Sequence, residues 1–225
     1  MANKSIISNS KLDALAQAIA TKGGGTLPMT VDEMTAAVAA ISGEDLLQHR
    51  ISGDRNYRYE NDTITIITNS AFKDDSHLSH ISFPAVTFIG DDAFRNTQGF
   101  NGAVVFPELT TLNPGAFQNS YIRAFTAPKI LYAYNDALSG SYVRTIDLGR
   151  EDRTDAIILG SGLFAYSQVR TIVIRNNAVA TLQGWCFCSY LTGIYVPDDL
   201  VETYKGATNW SSYADKFKPL SEYTG

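Results

Sequence analysis

The sequence predicts a mainly β solenoid of about six repeats, and three observations support this fold class. The phrase ITIITNSAF, residues 64–72, returns along the chain in modified form, and each copy ends on a large apolar residue that serves as an anchor. The steps between anchors are 22, 23, 21, 26 and 23 residues, and a fixed period of roughly 20 to 50 residues is typical of solenoids. Apolar residues also recur at fixed offsets from every anchor. The anchors are Phe72, Phe94, Phe117, Leu138, Phe164 and Phe187.

The positions eight and five residues before each anchor are apolar in all six repeats. They predict a short strand whose side chains point inward. These pairs are Ile64 and Ile67, Val86 and Ile89, Leu109 and Leu112, Ile130 and Ala133, Ala156 and Leu159, and Val179 and Leu182.

A second apolar phrase follows a polar turn after each anchor, and it predicts a second short strand in every repeat. Prolines mark several of the turns that follow it. The regular copies are Leu78, Ile81 and Phe83; Ile122, Phe125 and Ala127; Val143, Ile146 and Leu148; Val169, Ile172 and Ile174; Leu191, Ile194 and Val196. The copy with Val104 and Phe106 is irregular, because one residue is inserted before it.

The non-repeating ends divide the chain into four segments. Residues 1–43 carry apolar residues at helical spacing over 10–22 and 30–41, which predicts a helical hairpin for attachment or oligomerisation. Short helices need a packing partner, and the partner is either the other helix, a second copy or a different protein. Residues 44–62 are expected to cap the first repeat, 63–197 to form the solenoid, and 198–225 to cap its end.

In the C-terminal segment, Asp198 is a candidate N-cap for a helix that ends at Gly206. The residues Trp210, Tyr213, Ala214 and Phe217 are at helical spacing. We therefore expect a helical cap that lays aromatic surface over the last repeat.

The 26-residue step contains an extra charged stretch, GREDRTDA, at residues 149–156. Insertions in solenoids map to loops on one face, so this stretch is expected to be exposed. A tolerated insertion is the favoured interpretation, and a binding loop is the alternative.

Composition argues against several classes of function. The formal charge is -5 and the 18 Lys and Arg residues are scattered, which disfavours nucleic acid as a partner. No apolar run is long enough for a membrane span. The first ten residues lack the apolar stretch of a secretory signal, so export by that route is not expected.

No pattern of nucleophile, base and orienting group indicates an enzyme, and no cofactor is predicted. His77 and His80 follow two aspartates, but the H-x-x-H spacing on a turn lacks the helical geometry of a zinc protease, so no metal site is predicted. Cys186 stands where other repeats have a small residue and is predicted to be a buried thiol. Cys188 is predicted to be a surface residue.

Outward positions before the second strand repeat a chemistry of their own. The residues on either side of its first apolar position include three arginines in consecutive repeats, which should stack about 5 Å apart, flanked by tyrosines. Tyr and Arg are enriched at interface hot spots, although repeat duplication with shielding side chains is the alternative. The candidate binding residues, called the Tyr/Arg ladder, are Tyr121, Arg123, Tyr142, Arg144, Arg170 and Tyr190.

The corner phrases NSAF, DDAF and PGAF, the FIG before Asp91, and the ISFP and IYVP strands resemble the BspA-like class of leucine-rich repeats over about 64–197. Repeats four and five depart from the pattern, with ALSG at 137–140 and no proline after Leu148 or Ile174. The resemblance is specific for the repeat class and implies a β solenoid.

The flanks, including LDALAQAIATKGGGTLPMTVDEMTAAVAAI and the ending from IYVPDDLVETYKG onward, are similar to the ends of proteins encoded in phages and prophages of gut Firmicutes. That resemblance implies a virion or tail-associated component whose repeats serve adhesion. A host cell-surface protein or glycan is then the expected ligand, with residues 1–43 contacting virion proteins or sister chains. The alternatives are a bacterial surface adhesin and a scaffold without a ligand.

Overall fold

The computed structural model describes residues 57–184, 186 and 189–225, and these form a parallel β solenoid of about seven turns. The predicted solenoid is thereby confirmed. The predicted hairpin in residues 1–43, most of the segment 44–62, the anchor Phe187 and Cys188 lie outside the described residues.

Two stacks of parallel strands run along the solenoid, one of longer and one of two-residue strands. The long-strand stack consists of β1 (Tyr57–Glu60), β3 (Leu78–Ser82), β5 (Ala103–Val105), β7 (Ala124–Ala127), β9 (Thr145–Leu148), β11 (Thr171–Ile174), β13 (Gly193–Val196) and β14 (Phe217–Pro219). The short-strand sheet consists of β2 (Ile66–Ile67), β4 (Phe88–Ile89), β6 (Thr111–Leu112), β8 (Tyr132–Ala133), β10 (Ile158–Leu159) and β12 (Thr181–Leu182). Strand β1 lies inside the segment predicted as a cap over the first repeat.

The core fills the space between the two stacks, and the anchors form its centre. Phe72, Phe94 and Phe117 stack on one another with ring centroids 4.7 and 4.6 Å apart and planes within 12° of parallel. Leu138 and Phe164 continue the series and are also buried. Stacked rings of this size dominate core energetics, so the period seen in the sequence is the period of this column.

The prediction of which residue enters the core before the short strand is wrong for the last two repeats. Ala156 is exposed and Val179 half-buried, whereas Ile157 and Ala180 are buried in their place. In the preceding repeats a proline-containing turn sets the buried residue two positions before the strand, as with Ile130. The later connections are longer and lack that proline, so the residue directly before the strand enters the core instead. Ile64, in the first repeat, is also only half-buried.

The irregular second repeat interrupts the long-strand stack. Strand β3 pairs with β1, while β5 pairs with β7, so the hydrogen-bonded ladder stops between β3 and β5. Phe100 is buried where the other repeats have the first residue of the phrase. Gly99 allows the close approach, because a Cβ there would lie 2.5 Å from the carbonyl oxygen of Leu78. The long-strand sheet proper therefore consists of β5, β7, β9, β11, β13 and β14.

The corners around the anchors use two left-handed residues, one two positions before and one two positions after the anchor. Small or Asx residues fill nearly all of these places, since they adopt positive φ at low cost. The first set is Ser70, Asp92, Gly115, Asp136 and Gly162, and the second is Asp74, Asn96, Asn119, Gly140 and Tyr166. The NSAF, DDAF and PGAF phrases are thus turn signals as well as core signals.

A C-terminal cap closes the end of the solenoid, and its helix α1 (Val201–Gly206) ends at the expected glycine. The predicted N-cap was wrong: Asp198 begins a short 3₁₀ helix, and its carboxylate accepts a hydrogen bond from the Ser221 N–H at 3.0 Å. The expectation of a helix through Phe217 was wrong. A 3₁₀ helix spans Ser211–Lys216, but Phe217 begins β14, which pairs in parallel with β13. Spacings of three and four residues cannot distinguish a helix from a turn that leads into a strand. The cap therefore extends the long-strand sheet as well as covering it.

Side chains of the cap form hydrogen bonds with the backbone at the last short strand. The Trp210 Nε1 donates to the carbonyl oxygen of Ala180 at 2.7 Å, and the Tyr204 hydroxyl accepts from the Ala180 N–H at 2.8 Å. Asn209 donates to the carbonyl oxygen of Leu182. A free strand edge is a site for unwanted pairing, and these side chains occupy it.

Candidate binding surface

The backbone register places the three arginines of the Tyr/Arg ladder on adjacent turns. The Arg144 N–H donates to the Arg123 carbonyl oxygen at 2.8 Å, and the Arg170 N–H donates to the Arg144 carbonyl oxygen at 2.9 Å. Each arginine directly precedes the first residue of its strand β7, β9 or β11. The row thus follows the solenoid axis at the amino-terminal side of the long-strand sheet.

The tyrosine row lies two residues earlier in the chain. Tyr121 and Tyr142 occupy neighbouring turns with ring centroids 4.2 Å apart. Their mutual hydrogen bond raises the pKa of the half-buried Tyr121. Gln168 and Tyr190 hold the same position in the next two repeats, and Tyr190 is 57% exposed.

The three arginines have different surroundings, which the sequence did not indicate. Arg123 is half-buried: its Nε donates to Asn101 at 3.0 Å and its guanidinium lies 5.7 Å from the centre of the Tyr142 ring. Arg144 and Arg170 are exposed, and their side chains form no hydrogen bond, ion pair or ring contact with any described residue. The free positive charge of the Tyr/Arg ladder therefore lies in its second half.

This lack of partners is unusual within the described part of the chain. Outside the ladder, each described lysine and arginine except Lys218 forms an ion pair with a carboxylate, and Lys218 lies over the Tyr195 ring at 5.6 Å. The paired cations are Arg58, Lys73, Arg95, Lys129, Arg150, Arg153, Arg175, Lys205 and Lys216.

A groove of about 570 Å³ lies at the opposite, carboxyl-terminal side of the long-strand sheet. Turns that follow β9, β11, β13 and β14 line it, because the carboxyl ends of parallel strands meet at one side of a sheet. Its lining includes Glu151, Arg175, Asn177, Asp198, Leu220 and Tyr223. Sequence reasoning missed this groove, and the charged insertion 149–156 was its only signal.

The Arg175 side chain, which lines the groove, is held in one position by several contacts. Its Nε and Nη2 donate to the two carboxylate oxygens of Asp147 at 2.8 and 2.9 Å, which raises the pKa of Arg175. The guanidinium also lies 5.9 Å from the centre of the Tyr223 ring. A bidentate pair of this kind fixes the geometry of both groups.

The inserted loop is exposed, as predicted, but it is also fastened to the next turn. The buried Asn176 accepts a hydrogen bond from the Arg150 N–H at 2.9 Å and donates to the Asp155 carbonyl oxygen at 2.8 Å. Gly149 has φ of +79°, and a Cβ there would overlap the Asn176 side chain. Arg153 adds a hydrogen bond to the Lys129 carbonyl oxygen. One wall of the groove is therefore held in place by a buried amide.

None of the residues considered for other chemistry belongs to the Tyr/Arg ladder or to the lining of the groove. His77 is exposed and His80 half-buried, and no cluster of three metal-ligating side chains occurs in the described ranges. Cys186 is buried, as predicted, and burial raises the pKa of its thiol. None of the helices in the described residues has the length and apolar character that a membrane span requires.

Comparison with known proteins agrees with the geometry. The family model described as BspA type leucine rich repeat region matches in six copies, over residues 56–123 and 115–213. No curated protein matches the chain. The matched residues cover more than two thirds of the sequence and coincide with the solenoid. The chain therefore belongs to the BspA-type leucine-rich repeat family.

Proposed function

We propose that this protein is a binding scaffold for adhesion or protein–protein interaction, and that the Tyr/Arg ladder is its recognition surface. The observation that carries the proposal is the pair of exposed arginines, Arg144 and Arg170, which have no partner among the described residues. A leucine-rich repeat solenoid is typically a non-enzymatic binding scaffold. The ladder has the residue types that dominate interface energetics.

The more specific proposal is a tail-associated virion component that contacts a host cell-surface protein or glycan. Its support is the resemblance of the two flanks to phage and prophage proteins. Residues 1–43 would attach the chain to other virion proteins or to sister copies. Many weakly binding copies on one particle would raise avidity through effective concentration.

The direct test replaces Arg123, Arg144 and Arg170 together by serine and measures binding of the full chain to host cells and to purified envelope glycans. We expect binding to fall by about tenfold or more, since charge-assisted contacts of this kind dominate such interfaces. The matched control is Arg58→Ser with Arg150→Ser and Lys205→Ser, which removes three cations that each have a carboxylate partner.

Equal binding by the ladder variant and the wild type, with unchanged melting, would remove this surface as the recognition site. Absence of binding to any cell or glycan would favour the scaffold without a ligand. Light scattering and co-sedimentation with particles test the attachment role of residues 1–43. A chain that stays monomeric and never sediments with particles would contradict that role and favour the surface adhesin.

A further inference from the structure

We infer that the ligand of the Tyr/Arg ladder is a linear polysaccharide with an anionic group on each repeating unit, lying along the solenoid axis. The inference rests on the proposed function, because it specifies the ligand of the same surface. Three properties of the ladder point to this class of ligand: uncompensated charge, periodic spacing and small side chains beside it.

The first property is charge without compensation. Arg144 and Arg170 follow each other on adjacent hydrogen-bonded turns, and neither guanidinium has a carboxylate partner among the described residues. Like charges at this spacing repel each other, and the rest of the described chain avoids such an arrangement by ion pairing. An anionic ligand would remove the repulsion and form charge-assisted hydrogen bonds with both groups.

The second property is periodic spacing in one direction. Parallel strands lie about 4.8 Å apart, and Arg123, Arg144 and Arg170 each stand at the same register of consecutive turns. The three arginines therefore recur once per turn in one row along the solenoid axis. A polymer with one carboxylate, sulfate or phosphate on each sugar presents anions in a row, whereas a folded acidic protein surface has no such regular spacing.

The third property is a row of small side chains next to the ladder. The first outward position of β7, β9 and β11 is Ala124, Thr145 and Thr171, and all three are small. The core of a protein–protein interface is usually apolar and aromatic, and this row offers no large apolar side chain. A sugar chain instead requires a shallow surface with aromatic rings beside it. Tyr121 and Tyr142 supply two adjacent rings with polar hydroxyl groups.

The test compares charged and uncharged forms of the same polymer backbone. The full chain is titrated with polygalacturonate and its methyl ester, with dextran sulfate and dextran, and with polyglutamate, at two salt concentrations. The two charged polysaccharides separate carboxylate from sulfate as the preferred group. We expect at least about tenfold tighter binding of a charged polymer than of its neutral form, weakened by salt because bound counterions are released.

The variant Arg144→Ser with Arg170→Ser should lose about tenfold or more in affinity for the charged polysaccharides. The control Arg150→Ser with Lys205→Ser changes the net charge equally, but its cations have carboxylate partners at 2.8 and 2.6 Å. We expect this control to stay within about twofold of the wild type. Equal loss in both variants would indicate a net-charge effect and overturn the inference.

The remaining outcomes also decide between the two proposals. Suppose that neutral and charged polymers bind with equal affinity, while the Arg144→Ser and Arg170→Ser variant loses binding to cells. This result would overturn the anionic ligand and leave the proposed recognition surface in place. Polyglutamate bound as tightly as the charged polysaccharides would point to an acidic protein instead. Charged polymers bound equally well by the wild type and by the double variant would overturn the anionic polysaccharide as the ligand of the Tyr/Arg ladder. Equal cell binding by the same two proteins would contradict the recognition surface as well.

Discussion

The arginines at the two sides of the long-strand sheet differ in whether they have carboxylate partners. On the carboxyl-terminal side, Arg175 is held by Asp147 and Glu151, and its guanidinium packs near a tyrosine ring. On the amino-terminal side, Arg144 and Arg170 are exposed and have no carboxylate partner among the described residues. The same turns of the same solenoid supply both sides.

This difference separates charges that belong to the fold from charges that are available to a ligand. The pair of Arg175 and Asp147 joins β9 and the turn after β11, and the inserted loop is anchored nearby by the buried Asn176. These contacts shape the groove. No comparable contact among the described residues uses Arg144 or Arg170. Their charges are therefore open to solvent and, under the proposed function, to a ligand.

The largest effect is expected from the core that both sides share. Phe117 is fully buried and stacks on Phe94 at 4.6 Å. Phe117→Ala should lower the free energy of unfolding by about 3 to 5 kcal/mol, measured by denaturant titration. The control Phe117→Leu copies the anchor Leu138 of the next repeat and should cost less than the alanine variant, because it leaves a smaller cavity. A small loss in the alanine variant would show that the anchors do not position the two sides together.

A smaller effect is expected from Tyr204, which connects the cap to the residues before the last short strand. Its hydroxyl accepts the Ala180 N–H and donates to the Ala178 carbonyl oxygen. Tyr204→Phe leaves that buried N–H without an acceptor, so we expect a loss of about 1 to 3 kcal/mol. The matched control is Tyr132→Phe, because Tyr132 is an exposed tyrosine outside the cap.

The pH dependence of the same variant provides a second test. Burial raises the pKa of Tyr204 to about 12, whereas an unfolded tyrosine ionises near pH 10. The stabilisation is therefore complete below about pH 10 and is lost as pH rises toward about 12, since only the unfolded chain releases the proton there. Melting temperatures from pH 9 to 12 should fall less steeply for Tyr204→Phe. Parallel curves for the variant and the wild type would contradict burial of this hydroxyl.

Residue patterns predicted the repeating part of the structure well, because each anchor and each apolar phrase makes contacts that recur from turn to turn. Phe94 and Phe117 stack because they hold the same position in adjacent repeats. The departures arise where contacts are not periodic. Ile157 enters the core only because of the longer connection before it, and β14 depends on how the cap folds back onto β13.

The candidate surface was predictable to the same extent. Equal offsets from the core phrase placed Arg123, Arg144 and Arg170 in one row, and the structure places their backbones in that register. The contacts of each arginine side chain were not predictable, because those of Arg123 with Asn101 and Tyr142 depend on the rotamers of these residues. The groove depends on the pairing of Arg175 with Asp147, which lies 28 residues earlier in the chain, and no local pattern reports such a pair.

The smallest expected changes in stability come from replacing one arginine on each side of the long-strand sheet. Arg175→Ser should cost about 1 kcal/mol, because it removes a bidentate hydrogen bond to a partly buried carboxylate. Arg144→Ser should change stability by less than about 0.5 kcal/mol, as is usual for surface substitutions. A double-mutant cycle of Arg175→Ser with Asp147→Asn should show coupling of at least about 0.5 kcal/mol, measured by denaturant titration. Equal costs for Arg144→Ser and Arg175→Ser would mean that the ladder supports the fold, and the distinction between the two sides would fail.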